Sequence, residues 1–361
     1  MKKLKDFEKE INQCSKCGLC QAACPIFKIT GNECAVSKGK FTMLSGVIKG
    51  DLTLNKKINS YLDLCTKCGK CSDYCPAGIN VCEILQTAKY EYLEDKSIFK
   101  LTKFLQSSII FDNIIKIFRT ISNLFRANTH HLIPSANAKK ILYFKGCVNE
   151  VLPKSENALK KILSKTNIQL VETDLKCCGL PFFSSGNLER FEEIKDFNTE
   201  KLNTIDTETI LTDCASCEHT LKNYKTLNKK IINVEDLFVT QNFVFEFQKP
   251  QKVTFHEPCH AQNNGKIEVL LKNCKNIEFI KIPQTCCGLA GDFTLKNPKI
   301  SKEIAKLRAN EIIQSGATTV ITTCPACVLG LKKALWGKNI KVLLLTEFLA
   351  RAEKISFATN P

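Results

Sequence analysis

Hydrophobic positions keep two different rhythms along this chain. Over the first 95 residues they recur at three- and four-residue steps, the period of one helix face. Leu4, Phe7 and Ile11 predict a short amphipathic helix within residues 1–12. Further helical patterns run from Lys40 to Ile48 and from Ile58 to Leu64. Beyond residue 139 the apolar residues gather in short β-branched or aromatic runs, the mark of strands. These are Ile141–Phe144, Ile168–Val171, Thr209–Thr212, Val253–Phe255, Ile277–Ile280 and Thr319–Thr322. Most are followed by a helical pattern, of which Pro298–Gln314, ended by Gly316, is the clearest. Strand–helix alternation predicts a parallel sheet, so an all-α part precedes an α/β part. Between them, residues 97–126 form a long basic amphipathic segment, with Ile114, Phe118 and Leu124 among its apolar positions. Such a helix docks on a membrane surface or a partner, or packs on its own domains; both readings stand. Residues 127–138, with His130, His131 and Pro134, read as a solvated linker. The expected domains are therefore 1–95, a 96–138 amphipathic helix and linker, 139–250 and 251–361.

Cysteines give each part its chemistry. Cys14-x-x-Cys17-x-x-Cys20-x-x-x-Cys24-Pro25 returns as Cys65-x-x-Cys68-x-x-Cys71-x-x-x-Cys75-Pro76. This is the bacterial ferredoxin run, in which three close thiolates wrap one cubane and the fourth reaches to the other cluster. It predicts two [4Fe–4S] clusters, one on Cys14, Cys17, Cys20 and Cys75 and the other on Cys65, Cys68, Cys71 and Cys24. Gly18 and Gly69 supply the turns that let backbone amides approach the cluster sulfur. Zinc ribbons lack the third cysteine at the next interval and the trailing Cys-Pro. The insert of 40 residues between Cys24 and Cys65 carries helices where small ferredoxins have strands.

A second repeat follows residue 139. Cys147, Cys177-Cys178-Gly179 and Cys214-x-x-Cys217 are matched by Cys259, Cys286-Cys287-Gly288 and Cys324-x-x-Cys327. The offsets are 112, 109, 109, 110 and 110 residues, which implies a duplicated domain. Each set sits past the ends of expected strands, where open α/β sheets bind their ligands. Ten thiols so placed are a metal or redox site. Neighbouring thiolates suit a noncubane cluster, in which they reach different irons or bridge two; a dithiol couple is the alternative. Cys34, Cys82 and Cys274 match no motif and read as small buried hydrophobes. His256 and His260 flank Cys259, either to hydrogen-bond toward a cluster or to cap a strand end, and His219 follows Cys217.

Composition narrows the partners. Twenty-one cysteines in 361 residues point to a reducing compartment and metal ligation. The start, Met1-Lys2-Lys3-Leu4-Lys5-Asp6, predicts no signal peptide, and no stretch has the apolar length of a membrane span. The formal charge is +16, but it comes from 47 Lys and 5 Arg without any nucleic-acid motif. That excess predicts attraction to an acidic partner or anionic membrane surface and no nucleic-acid binding. No G-x-G-x-x-G, Walker loop or nucleophile elbow is present, so no flavin or nicotinamide site is expected on this chain.

Over nearly all of residues 10–350 the chain resembles the iron–sulfur subunits of glycolate oxidase. More widely it is similar to the cysteine-rich (CCG) proteins that include heterodisulfide reductase subunits and the third subunit of anaerobic glycerol-3-phosphate dehydrogenase. The resemblance rests on the two Cys-Pro runs, Gly39-Lys40, Cys75-Pro76-Ala77-Gly78-Ile79, His256-Glu257-Pro258-Cys259-His260 and Cys286-Cys287-Gly288-Leu289-Ala290-Gly291. It implies a helical two-[4Fe–4S] domain followed by two α/β CCG domains. It implies one or two noncubane [4Fe–4S] clusters, on Cys147, Cys177, Cys178, Cys214 and Cys217 and on Cys259, Cys286, Cys287, Cys324 and Cys327. The first set often departs from the pattern in the glycolate-oxidase branch and is complete here. The implied function is an electron-transfer subunit. An FAD-containing 2-hydroxy-acid (glycolate or D-lactate) dehydrogenase would be the donor and quinone the eventual acceptor. The expected location is cytoplasmic, peripheral on the inner face of the membrane. The alternatives are a heterodisulfide-reductase-like catalytic subunit and the anchoring subunit of anaerobic glycerol-3-phosphate dehydrogenase.

Overall fold

Helix ends and glycine turns set the elements of the N-terminal part. The computed structural model describes residues 2–94, 138–261 and 265–357; the amphipathic segment 97–126 and the linker lie outside them. Leu4, Phe7 and Ile11 fall on a 3-10 turn (Leu4–Phe7) and a short helix (Glu8–Asn12), and all three are buried. The helical insert is real. Ser37–Lys49 buries Phe41 and Leu44 and stops at Gly50, whose φ of 84° ends it in the left-handed region. Lys56–Asp63 starts at Asn55, whose side chain accepts from the Lys57 and Ile58 amides. Helix Val81–Glu94 adds Val81, Ile84, Leu85 and Ala88 to the same core, with Leu62 and Ile79. Gly39 has a plain steric reason: a Cβ there would overlap the Glu33 carbonyl, so the helix could not lie against the Glu33–Ala35 turn.

Two compact units account for the described chain. The helical unit comprises residues 2–94 with 180–192 and 285–308. The second comprises 138–179, 193–284 and 309–357 and contains every strand.

The second unit holds two sheets of the same design. In one, β1 (Lys139–Tyr143), β2 (Ile168–Val171), β3 (Thr209–Thr212) and β4 (Lys230–Asn233) are all parallel, in the order β2-β1-β3-β4. In the other, β5 (Phe243–Phe255), β6 (Lys275–Phe279), β7 (Thr319–Thr322) and β8 (Lys341–Leu344) repeat that order as β6-β5-β7-β8. Register follows the repeat, with Leu142 opposite Ile210 and Thr254 opposite Val320. The 13-residue β5 runs through positions 250 and 251 without a break. Its first half pairs antiparallel with β9 (Lys354–Phe357), its second half pairs parallel with β6 and β7, and the register shifts between Glu246 and Gln251. Pro250 sits inside that irregularity, where its missing N–H costs no ladder bond. One apolar core, including Ile141, Tyr143, Phe238, Phe243, Phe245, Val253, Phe255, Ile321 and Phe348, serves both sheets.

Candidate metal centres

The two cysteine runs of the helical unit have the same backbone. Lys16 and Lys67 lie at φ 57° and 54°, and Gly18 and Gly69 at 85° and 76°. A non-glycine residue in the left-handed region is uncommon, and its recurrence at one position of both runs marks a shared, constrained turn. Successive amides in such turns converge on a concavity that suits an anion. The Lys67 amide donates to Cys65 Sγ at 3.4 Å.

Cys24 of the first run lines one pocket with Cys65, Cys68 and Cys71 of the second. That is the crossed set expected from the spacing. The same pocket takes in two residues that the spacing does not announce, Lys40 and Cys82. Burial, with the charge of neighbouring Cys65, pushes the Cys71 thiol up to about 12. Burial also raises Cys24, against the Phe27 and Ile26 amides and Lys40, which favour its thiolate. Four buried thiols facing one another are a costly arrangement unless a metal takes them as thiolates. Lys40 makes the complementary point. It is 2% exposed, its Nζ donates to the Leu64 carbonyl at 2.8 Å, and among the described residues no carboxylate pairs with it. A buried ammonium so placed fits a pocket whose occupant is an anion, as a cluster with four thiolate ligands is. Of the other set, Cys14 and Cys75 pack against one apolar core, Cys20 is half-buried and Cys17 is exposed.

The helical unit also contains Cys286 and Cys287. Gly288 holds their turn: its φ is 83°, and a Cβ would stand 2.6 Å from the Ser301 carbonyl. Ser301 Oγ donates to the Gly288 carbonyl at 2.8 Å, and the Gly288 amide donates to Cys286 Sγ at 3.3 Å. Four residues further on, Asp292 pairs with Lys67 at 2.6 Å and with Lys89 at 2.7 Å. Lys67 stands between Cys65 and Cys68, so a buried ion pair ties the ferredoxin loop to the Cys-Cys-Gly turn. Burial works against the Asp292 carboxylate, but Lys67 and Lys89 hold it down at about 2.

In the second unit, Cys147 follows β1 and Cys214 follows β3. The order β2-β1-β3-β4 reverses direction between those two strands, so their carboxyl ends flank the crevice where such sheets bind ligands. Cys214 caps helix Ala215–Lys222 and Cys324 caps helix Pro325–Ala334. Gly146 is at φ 72°, and a Cβ on it would meet Cys217 Sγ at 2.9 Å. The first five cysteines form a continuous group. Cys177 is in hydrogen-bonding reach of Cys147 and Cys178, and Cys217 of Cys178 and Cys214; these contacts and burial push Cys177 and Cys217 well above the thiol range. Asn198 clamps the Cys-Cys turn by donating to the Lys176 and Cys177 carbonyls, and Tyr224 Oη donates to the Cys178 carbonyl at 2.9 Å. Beside Cys214, buried Asp213 accepts from Asn149 and Ser155, and burial lifts its carboxyl to about 6. Asn198, Tyr224 and Asp213 carry no signal in the spacing of the cysteines.

The C-x-x-C pairs of the two copies meet. The Ala215 amide donates to the Thr323 carbonyl at 2.7 Å, and Cys214 and Cys324 are in hydrogen-bonding reach. Ser216 Oγ lies 3.7 Å from Cys324 Sγ and 3.2 Å from His260 Nδ1. His260 stacks on His219 with ring centroids 4.9 Å apart. His256 is fully buried just past the end of β5, its amide donating to the Ile321 carbonyl. Cys274 is an apolar-core residue whose Sγ donates to the Leu270 carbonyl. Cys82, by contrast, is not a plain core residue, because it faces the thiols of the ferredoxin pocket.

Known families match both halves of this architecture. The 4Fe-4S dicluster domain matches residues 10–79, and the cysteine-rich domain matches twice, over 141–222 and 253–332. The chain is 27% identical to an iron–sulfur relative in Methanothermobacter marburgensis, a component of its fumarate reductase (CoM/CoB), over 95% of this chain and 73% of that protein. It is 22% identical to a probable glycolate oxidase iron–sulfur subunit of Bacillus subtilis, over 96% and 94%. It is also 22% identical to a component of the dihydromethanophenazine:CoB–CoM heterodisulfide reductase of Methanosarcina acetivorans, over 88% and 87%. Among solved structures, a hypothetical protein of Helicobacter pylori shares the fold with a TM-score of 0.53 at 13% identity, over 88% of this chain and 68% of that one.

Proposed function

For a chain built of one 4Fe-4S dicluster domain and two cysteine-rich domains, that is, for a carrier of several iron–sulfur clusters, we propose the role of electron-transfer subunit in an oxidoreductase complex. A flavoprotein partner oxidises a 2-hydroxy acid, glycolate or D-lactate, and this chain conducts the electrons onward toward quinone. The relatives support the general role, since one is a glycolate oxidase iron–sulfur subunit and two belong to other redox complexes. When bound, iron–sulfur clusters supply one-electron transfer, with potentials set by burial, charge and hydrogen bonds.

The observation that carries the reading is the Lys67–Asp292 pair. It joins the Cys65–Cys68 loop to the segment that follows Cys286-Cys287-Gly288, inside one compact unit. Residues that hold two redox sites in fixed register are what a conducting subunit requires. The ligand sets are Cys14, Cys17, Cys20 and Cys75; Cys24, Cys65, Cys68 and Cys71; and at least one noncubane set among the ten cysteines of the duplicated domains. Among the described residues no helix is long and apolar enough to cross a membrane. Contact with the quinone pool therefore runs through a peripheral surface or a further subunit.

A second reading has its own observation. The two complete five-cysteine sets bring Cys214 and Cys324 together, with His260 and His219 beside them. That arrangement favours thiol–disulfide chemistry of the kind named in the heterodisulfide reductase relative. Affinity purification from native cells, with identification of the co-purifying chains, separates the two. A flavoprotein that reduces the clusters when given glycolate or D-lactate supports the first reading. Clusters that stay oxidised with hydroxy acid, but turn over a disulfide with a low-potential donor, overturn it in favour of the second.

A further inference from the structure

The pocket formed by the crossed cysteine set contains more than its ligands. We propose that Lys40 and Cys82 set the reduction potential of the cubane held by Cys24, Cys65, Cys68 and Cys71. The inference rests on that ligand set and goes beyond it, to the residues that tune what the set holds.

Lys40 lies in helix Ser37–Lys49 and is buried against the pocket, anchored by its hydrogen bond to the carbonyl of Leu64, the residue before Cys65. Reduction adds a negative charge to a cluster, and a buried cation nearby stabilises the reduced state more than the oxidised one. Cys82 lies in the first turn of helix Val81–Glu94 and lines the same pocket. Four thiolates complete a cubane, so a fifth thiol finds no iron and keeps its S–H, a weak donor aimed at sulfur. Hydrogen bonds to cluster sulfurs also favour the reduced state. Both residues therefore hold the potential up, against the opposing effect of burial.

The test is an EPR-monitored redox titration of the full chain, reconstituted anaerobically. Lys40→Gln keeps a donor toward the Leu64 carbonyl and drops the charge; it should move one cubane to a more negative potential and leave the other in place. Lys40→Arg, which retains the charge, should stay close to wild type. Cys82→Ala should move the same cubane in the same direction by less, and Cys82→Ser, which keeps a donor, should restore most of the shift. Unchanged potentials in both Lys40→Gln and Cys82→Ala, at full iron content, overturn the proposal. Loss of one cubane in Cys82→Ala also overturns it, by making Cys82 a ligand. The ligand assignment is checked separately: Cys24→Ser and Cys65→Ser must alter the cubane that Lys40→Gln shifts. If they alter different cubanes, the assignment fails while the effect of Lys40 is still read directly.

Discussion

Replacing Asp292 with asparagine removes the charge that two buried ammonium groups face. Lys67 and Lys89 are 3% and 1% exposed at their side chains, and Asp292 is 16% exposed. Taking one partner from a buried ion pair costs about 3–5 kcal/mol, because the remaining charge stays out of water. Lys89 keeps Asp63 at 3.0 Å, and Asp63 also meets Lys296 at 2.8 Å, so part of the network survives. The lower end applies, about 3 kcal/mol, or roughly a hundredfold in the folding equilibrium. The sign of the pH dependence is also fixed. Burial and the charge of Lys89 already push Lys67 below the ordinary lysine range, with Asp292 opposing them. Without Asp292 the folded-state pKa of Lys67 falls further. A cation whose folded pKa is depressed destabilises the protein at neutral pH and is relieved as pH rises through that value. The deficit of Asp292→Asn should therefore be largest near pH 7 and shrink toward pH 10. Denaturant unfolding followed by circular dichroism, at equal cluster loading under argon, reads both effects. Lys67→Met combined with Asp292→Leu should recover most of the loss, since apolar replacement of a buried pair is often neutral. A deficit below about 1 kcal/mol, the range of a surface pair, or one that grows with pH, would refute the reasoning.

Two further outcomes follow from the ligand geometry. Cys24→Ser should perturb the same EPR signal as Cys65→Ser, and Cys14→Ser the same signal as Cys75→Ser; pairing by run, Cys14 with Cys24, would contradict the crossed set. Gly288→Ala should disturb the Cys286–Cys287 turn, because its φ of 83° and the Ser301 carbonyl leave no room for a methyl. Strain of about 1–3 kcal/mol from the backbone alone is expected as a lower unfolding midpoint, with the contact added to it; an unchanged midpoint would argue against it.

The fold was legible where one residue type had one meaning. β1, β2, β3, β6 and β7 were marked by β-branched runs flanked by helical pattern, and the repeat of cysteines gave the duplication that the two sheets share. β4 and β8 were not marked. Lys230-Ile231-Ile232-Asn233 and Lys341-Val342-Leu343-Leu344 lead straight into helices, so their apolar residues merge with a helical stretch. The first half of β5 was hidden by Pro250, which reads as a break and is a bulge. Spacing placed Cys24 with the second run because the motif itself encodes the crossing. It could not place Lys40 or Cys82 in that pocket, since one lies on a helix of the insert and the other beyond the motif. Nor could it bring Cys214 to Cys324, a contact between copies 110 residues apart that depends on how the two sheets share a core.

Rapid-freeze EPR of the intact complex tests the central claim most directly. The chain and its co-purified flavoprotein are mixed with glycolate or D-lactate and frozen over the first turnovers. Electron transfer through this subunit predicts reduced-cluster signals that rise no slower than the steady-state turnover. Reduced flavin beside clusters that remain oxidised through those turnovers would contradict it.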